Sequence, residues 1–165
     1  MKYSAGFFIG LVFLAGCGTL VKVPEKERMV RQVFTVNLPK NEIFDRALDW
    51  CAKKLVNVND DIVVKDRDKG KIIAKGTGKY SEYFDFLVDR QFSYNLTIEI
   101  KENRYRVTFD NVIVYYDERQ IRSSPMEYRT EFEKVRKKMN VLMDGIRDYV
   151  SRGVAEKEEK KEEEW

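Results

Sequence analysis

The chain has 165 residues, enough for one packed domain and too few for two sizeable ones. Its 31 basic and 28 acidic residues nearly cancel, which argues against general electrostatic affinity for nucleic acid. It has no histidine, which excludes Ser-His and Cys-His catalysis and His-ligated metals.

The first element is the apolar run "FFIGLVFLAGCGTL", preceded by Lys2. It is too short to span a bilayer, which needs about 20 apolar residues, and has the size of a signal-peptide core. Leu14, Ala15, Gly16 and Cys17 match every position of the L-[AS]-[GA]-C motif, so the stretch resembles a bacterial lipoprotein signal. That resemblance implies a thioether lipid on Cys17, cleavage after Gly16 and acylation of the new N-terminus. Several acyl chains make a stable anchor where one is marginal. Gly18 stands where enteric lipoproteins carry the aspartate of inner-membrane retention, so the resemblance points to the outer membrane, facing the periplasm. The resulting division is a signal peptide at 1–16, a tether at 17–31, a folded domain at 32–152 and a charged tail at 153–165.

Residues 33–38 alternate as a strand and Pro39 ends it. Residues 41–56 place Ile43, Phe44, Ala47, Leu48, Cys51 and Leu55 on one helical stripe. Cys51 reads as a buried apolar residue, and no disulfide with Cys17 is expected. "NVND" breaks the chain, and residues 62–65 form a short strand. Asp68-Lys69-Gly70 is a turn, with glycine where a positive φ is needed. Asp66-x-Asp68-x-Gly70 is a poor calcium loop, since Gly70 and Thr77 stand where liganding residues belong. Asp60-Asp61 reads as a solvated turn. No metal site and no cofactor are expected.

Residues 71–80 form a second strand, and Gly76 and Gly78 on its core face are expected to let a helix lie close. Residues 80–89 are aromatic and irregular. Residues 92–101 alternate cleanly, Glu102-Asn103 is a hairpin turn, and residues 104–116 return with a bulge expected near Asn111. Residues 117–130 read as a polar loop. A long helix follows to about Arg152, with Phe132, Val135, Met139, Leu142, Met143, Ile146 and Val150 on its apolar stripe. The tail, with six Glu and three Lys in its last eleven residues, extends that helix into solvent. The order strand-helix-four strands-helix makes a two-layer α+β domain: a curved antiparallel sheet with two helices on one face.

The stretches "FDRALDWCAKKL", "DRDKGKIIAKGTG" and "FSYNLTIEIKENRYRVTFDNV" resemble the bacterial lipoproteins of domain of unknown function 4468. That resemblance covers residues 33–114. It implies a TATA-binding-protein-like fold and an envelope location, and brings no activity or catalytic residues with it.

Two surfaces are candidate sites. Lys71, Lys75 and Lys79 project from one strand face, with Arg104 and Arg106 on the same sheet surface, and could dock a partner. Tyr80, Tyr83, Phe84 and Phe86 could gate an apolar ligand between sheet and long helix. No nucleophile-base pair, metal cluster or phosphate loop is visible, so an enzyme is not expected. The expected function is a lipid-anchored, non-catalytic interaction module that holds an envelope protein. The alternative is a binding cup for a small apolar or amphipathic ligand. The membrane is a partner through Cys17, and nucleic acid is not.

Overall fold

Alternating apolar and polar residues between 71 and 115 build a long antiparallel meander. The computed structural model describes residues 21–55, 62–83, 87–117 and 119–163, with side chains to residue 152. Its elements are β1 (Val30–Thr35), α1 (Lys40–Lys54), β2 (Ile62–Asp66), β3 (Lys71–Tyr83), β4 (Leu87–Lys101), β5 (Arg104–Tyr115), β6 (Ser123–Pro125) and α2 (Arg129–Glu163). All strands pair antiparallel in one sheet, in the order β1-β5-β4-β3-β2, with β6 beside β5. β1 covers β5 from Arg104 to Phe109, and β6 covers it from Ile113 to Tyr115.

The two-layer α+β architecture is as the sequence predicts. Ile72, Ala74, Leu96, Ile98, Val107 and Phe109 are fully buried on one sheet face. Against them α1 places Ile43, Ala47, Trp50 and Cys51, and α2 places Val135, Met139, Met143, Ile146 and Val150. Each large side chain so buried contributes about 1.5–3 kcal/mol. The helices also lock to each other. Arg46 donates to the Val150 carbonyl at 2.7 Å and to Glu42 at 2.6 Å, and Trp50 lies against Gly145.

Two special backbone positions are met as expected. Gly70 has φ +63°, and a Cβ there would lie 2.4 Å from the Ile100 carbonyl oxygen, so only glycine fits. Asn111 has φ 49° where β5 carries one residue more than β4, between the pairs Ser93↔Ile113 and Asn95↔Asp110. This is the bulge.

Four expectations are corrected. The segment 17–31 reads as a tether, but from Val21 the chain is docked. Val23 is buried and its N–H donates to the Glu127 carbonyl at 2.7 Å. Arg129 N–H donates to the Val21 carbonyl, and Lys22 pairs with Glu127. Tertiary hydrogen bonds hold a stretch that has no periodicity of its own. The folded body therefore begins before residue 32, and its first strand starts at Val30. Ser123–Pro125, read as loop, is a sixth strand, too short to leave an alternation pattern. The irregular aromatic stretch is instead the outer part of a hairpin, since β3 runs on to Tyr83 and β4 starts at Leu87. Finally, Gly76 and Gly78 do not admit a helix. A Cβ on Gly76 would lie 2.3 Å from the Tyr94 ring, and one on Gly78 2.4 Å from the Phe92 ring. The glycines make room for cross-strand aromatic rings.

Candidate functional site

The helix-free sheet face carries the five basic residues singled out above. Alternation along β3 puts Lys71, Lys75 and Lys79 on this face, each about 13 Å from the next. Arg104 and Arg106 share the face from β5. Cross-strand register decides what they meet. Lys71 and Arg106 both stand opposite Glu99, and Arg106 Nε donates to its carboxylate at 2.8 Å. Lys75 stands opposite Asn95, which in turn faces Asp110. Lys79 faces Gln91, and Arg104 faces Lys101 at the β4–β5 turn. The structure thus brings Lys71 and Arg106 together around one carboxylate and leaves Lys75, Lys79 and Arg104 spread out. The face is polar and of mixed sign. Near the turn it deepens into a cleft of about 420 Å³ lined by Lys40, Lys69, Lys71 and Lys101 with Glu99 and Glu102.

Of the four aromatic residues, Tyr80 and Tyr83 are described, and they fall on opposite faces of β3. Tyr80 is buried on the core face, and its ring lies 6.2 Å from that of Phe92. Phe92, Tyr94 and Phe109 continue the stack at 5.9 and 5.2 Å. These rings belong to the hydrophobic core. Tyr83 is 76% exposed at the end of β3, on the opposite face of the strand. Phe84 and Phe86 lie outside the described residues, as do Leu14, Ala15, Gly16, Cys17 and the Asp60-Asp61 pair.

One polar cluster has no counterpart in the sequence reading. Glu131, in the first turn of α2, is buried and accepts from the Tyr116 hydroxyl at 2.9 Å. Burial raises its carboxyl above the usual range, and the neighbouring negative charge of Glu82 adds to the rise. Tyr116 in turn contacts Ser124 at 2.9 Å. Lys134 donates to Glu82 at 2.7 Å, and Arg90 donates to the Tyr116 carbonyl. The Tyr80 hydroxyl and Glu131 Oε2 have no hydrogen-bond partner among the described residues. Burial raises Tyr80 most, and the charge of Glu131 adds to it. The available sign was spacing: Glu131, Val135 and Met139 fall four apart, so a carboxylate stands on the buried stripe. Phe132, placed on that stripe from sequence, is only partly buried.

A cleft of about 850 Å³ opens at the edge of β5 between β1 and β6. The bulge residues Asp110, Asn111 and Val112 form one wall, Pro125 and Met126 another, and Arg28 and Met29 a third. Neither Tyr80 nor Tyr83 lines it. Among the described residues no group of three or more Asp, Glu or Cys could hold a metal, and no helix is long and apolar enough to cross a membrane. Cys51 is 1% exposed and burial pushes its thiol up to about 12, which makes it inert at neutral pH. The Asp66–Gly70 stretch is a hairpin turn, in which the Asp66 carboxylate accepts from the Lys69 N–H at 2.9 Å.

The family model described as a domain of unknown function (DUF4468) with TBP-like fold matches residues 31–115. A DUF4468 family protein from Bacteroides ovatus ATCC 8483 is similar in structure, with TM-score 0.60 and 18% identity over 78% of this chain and 87% of that one. A TBP-like protein from Parabacteroides distasonis ATCC 8503 gives TM-score 0.58 and 15% identity over 74% of this chain and 91% of that one. At such identities the likeness shows the fold. Among curated proteins none matches the chain.

Proposed function

The chain belongs to the DUF4468 family with its TBP-like fold, and from that premise we propose that it is a lipid-anchored envelope protein acting as a non-catalytic interaction module. Leu14-Ala15-Gly16-Cys17 carries this reading, because it places a lipidation motif just ahead of a folded body. In this reading Cys17 holds the protein on the outer membrane, facing the periplasm, and the body holds another envelope protein. The helix-free sheet face is the docking surface. Its charges are mixed and interleaved, as on Arg106, Glu99 and Lys71, which suits a polar protein surface of complementary pattern better than a uniformly charged polymer.

The cleft beside the β5 bulge favours one second reading, a site for a small amphipathic ligand. It combines apolar Met29, Val112 and Met126 with Asp110 and Arg28 at about 850 Å³. A photocrosslinking residue at Lys75, introduced into the full chain in intact cells, separates the two. A discrete crosslinked protein band, lost when Glu99 and Arg106 are exchanged in sign, supports the module. Recovery of uncrosslinked protein alone, with an extracted lipid or small molecule, favours the cleft.

A further inference from the structure

We propose that one end of the domain is a membrane-contacting surface, in which exposed apolar tips and arginines seat the body on the bilayer that holds its anchor. The inference rests on lipidation of Cys17 and deepens that reading. It starts from chain length. Val21 is fixed to the body by the Arg129 N–H and is four residues beyond Cys17. Four extended residues span at most about 14 Å. The anchor therefore cannot let the body drift. β4 alone, with its 15 residues, is roughly 46 Å long, so only one end of the domain can lie within reach.

That end is identified by contacts. Val21 meets the first residue of α2. The next turns of α2 reach the β3–β4 stem through Lys134 and Glu82, and reach the end of β5 through Glu131 and Tyr116. The loop bearing Ile121 is held over the same stem, where Gln120 donates to Gln91 at 3.0 Å. Past the Gln91↔Tyr115 pair the stem continues as a two-stranded finger to the Tyr83↔Leu87 pair. Four more residues give it about 13 Å.

The chemistry of this end suits an interface between water and lipid. Tyr83, Leu87 and Ile121 are 76%, 68% and 75% exposed, and the other large apolar side chains exposed among the described residues are all valines. Arg119 and Arg122 are exposed beside Ile121, and Arg129 is exposed at the start of α2. Apolar tips that enter the headgroup boundary, with cations that meet phosphates, are the two components of interfacial binding. Asp117 offsets one of them, lying 3.6 Å from Arg122 Nε. Its carboxylate accepts from the Ile121 and Arg122 N–H groups and shapes the loop.

The test uses the lipidated full chain in vesicles of phosphatidylethanolamine and phosphatidylglycerol that contain a nitroxide-bearing lipid. A fluorophore is placed on Leu87→Cys, Ile121→Cys or, at the far end, Arg104→Cys; buried Cys51 does not compete for the label. Severalfold stronger quenching at 87 and 121 than at 104 is expected, reduced when Arg119 and Arg122 are both changed to Glu. Equal quenching at the three positions, on protein whose N-terminal peptide carries the lipid by mass, overturns this inference and leaves the anchor reading intact. An N-terminal peptide without lipid overturns both.

Discussion

At the scale of single residues, the glycines separate two kinds of space. Gly76 lies against the Tyr94 ring, so Gly76→Ala forces the ring or the strand to move. Overpacking of this kind costs about 1–3 kcal/mol. Gly145 lies in α2, and a Cβ there would meet Trp50 at 3.6 Å, an ordinary contact. Gly145→Ala is therefore expected to stabilise the protein by about 0.5–1 kcal/mol, since glycine is the poorer helix former. Urea denaturation of the pair checks both signs. Two destabilised variants would contradict the packing assigned to Gly145.

Glu131 gives a prediction about pH. Its folded-state carboxyl is raised, because burial disfavours the charged form. The folded protein then binds the proton more tightly than the unfolded chain does. This contribution to stability is full below the unfolded value of 4.5 and is lost as pH rises through the raised folded value. Glu131→Gln keeps an acceptor for the Tyr116 hydroxyl and removes the titration. The variant is expected to hold its stability in that window while the parent loses some, as measured by melting at a series of pH values. Parallel curves would contradict the assignment.

At the scale of elements, the bulge and the N-terminal segment are the informative cases. Asn111 sits at φ 49°, which a β-branched residue tolerates poorly. Asn111→Val is expected to cost roughly 1–2 kcal/mol, while Asn111→Gly is tolerated. If both variants denature alike, φ is not what matters there. Residues 21–28 make the second case. The Val23 amide is bonded to the Glu127 carbonyl and its side chain is buried, so this amide is expected to be protected in hydrogen exchange. Val23→Asp puts a charge into that site and should release the segment. Rapid exchange in the parent chain would restore the long tether that the sequence suggests.

The same elements show what the sequence makes legible. Alternation over 92–101 and 104–109 marks paired strands, and Phe92, Tyr94, Leu96, Ile98 and Ile100 are all buried as that period requires. The helical stripe of α1 is equally plain, although Trp50 also lies on it, and Gly70 and Asn111 announce their backbone geometry. What stays hidden is set by partners distant in sequence. Val23 is buried by Glu127 and its neighbours, Ser123–Pro125 becomes a strand only because β5 offers an open edge, and Gly76 is explained by Tyr94 across the sheet. The basic sheet face is legible as a face, but the interposition of Glu99 between Lys71 and Arg106 depends on register.

At the scale of the whole molecule, the sheet separates two roles. One face is buried by two helices, and the other presents interleaved charges. One end carries exposed Tyr83 and Leu87, and the opposite end carries the β4–β5 turn with its lysines. Anchored at Cys17 as we propose, a body open on one face would present that face to a partner at a fixed height above a membrane. The idea depends on the anchor. Intact-mass spectrometry of the mature protein isolated from its own membranes tests it most directly. The account predicts a chain that begins at Cys17 and carries a thioether-linked diacylglycerol and an acylated amine, whereas a chain that retains Met1 or a free thiol at Cys17 would contradict it.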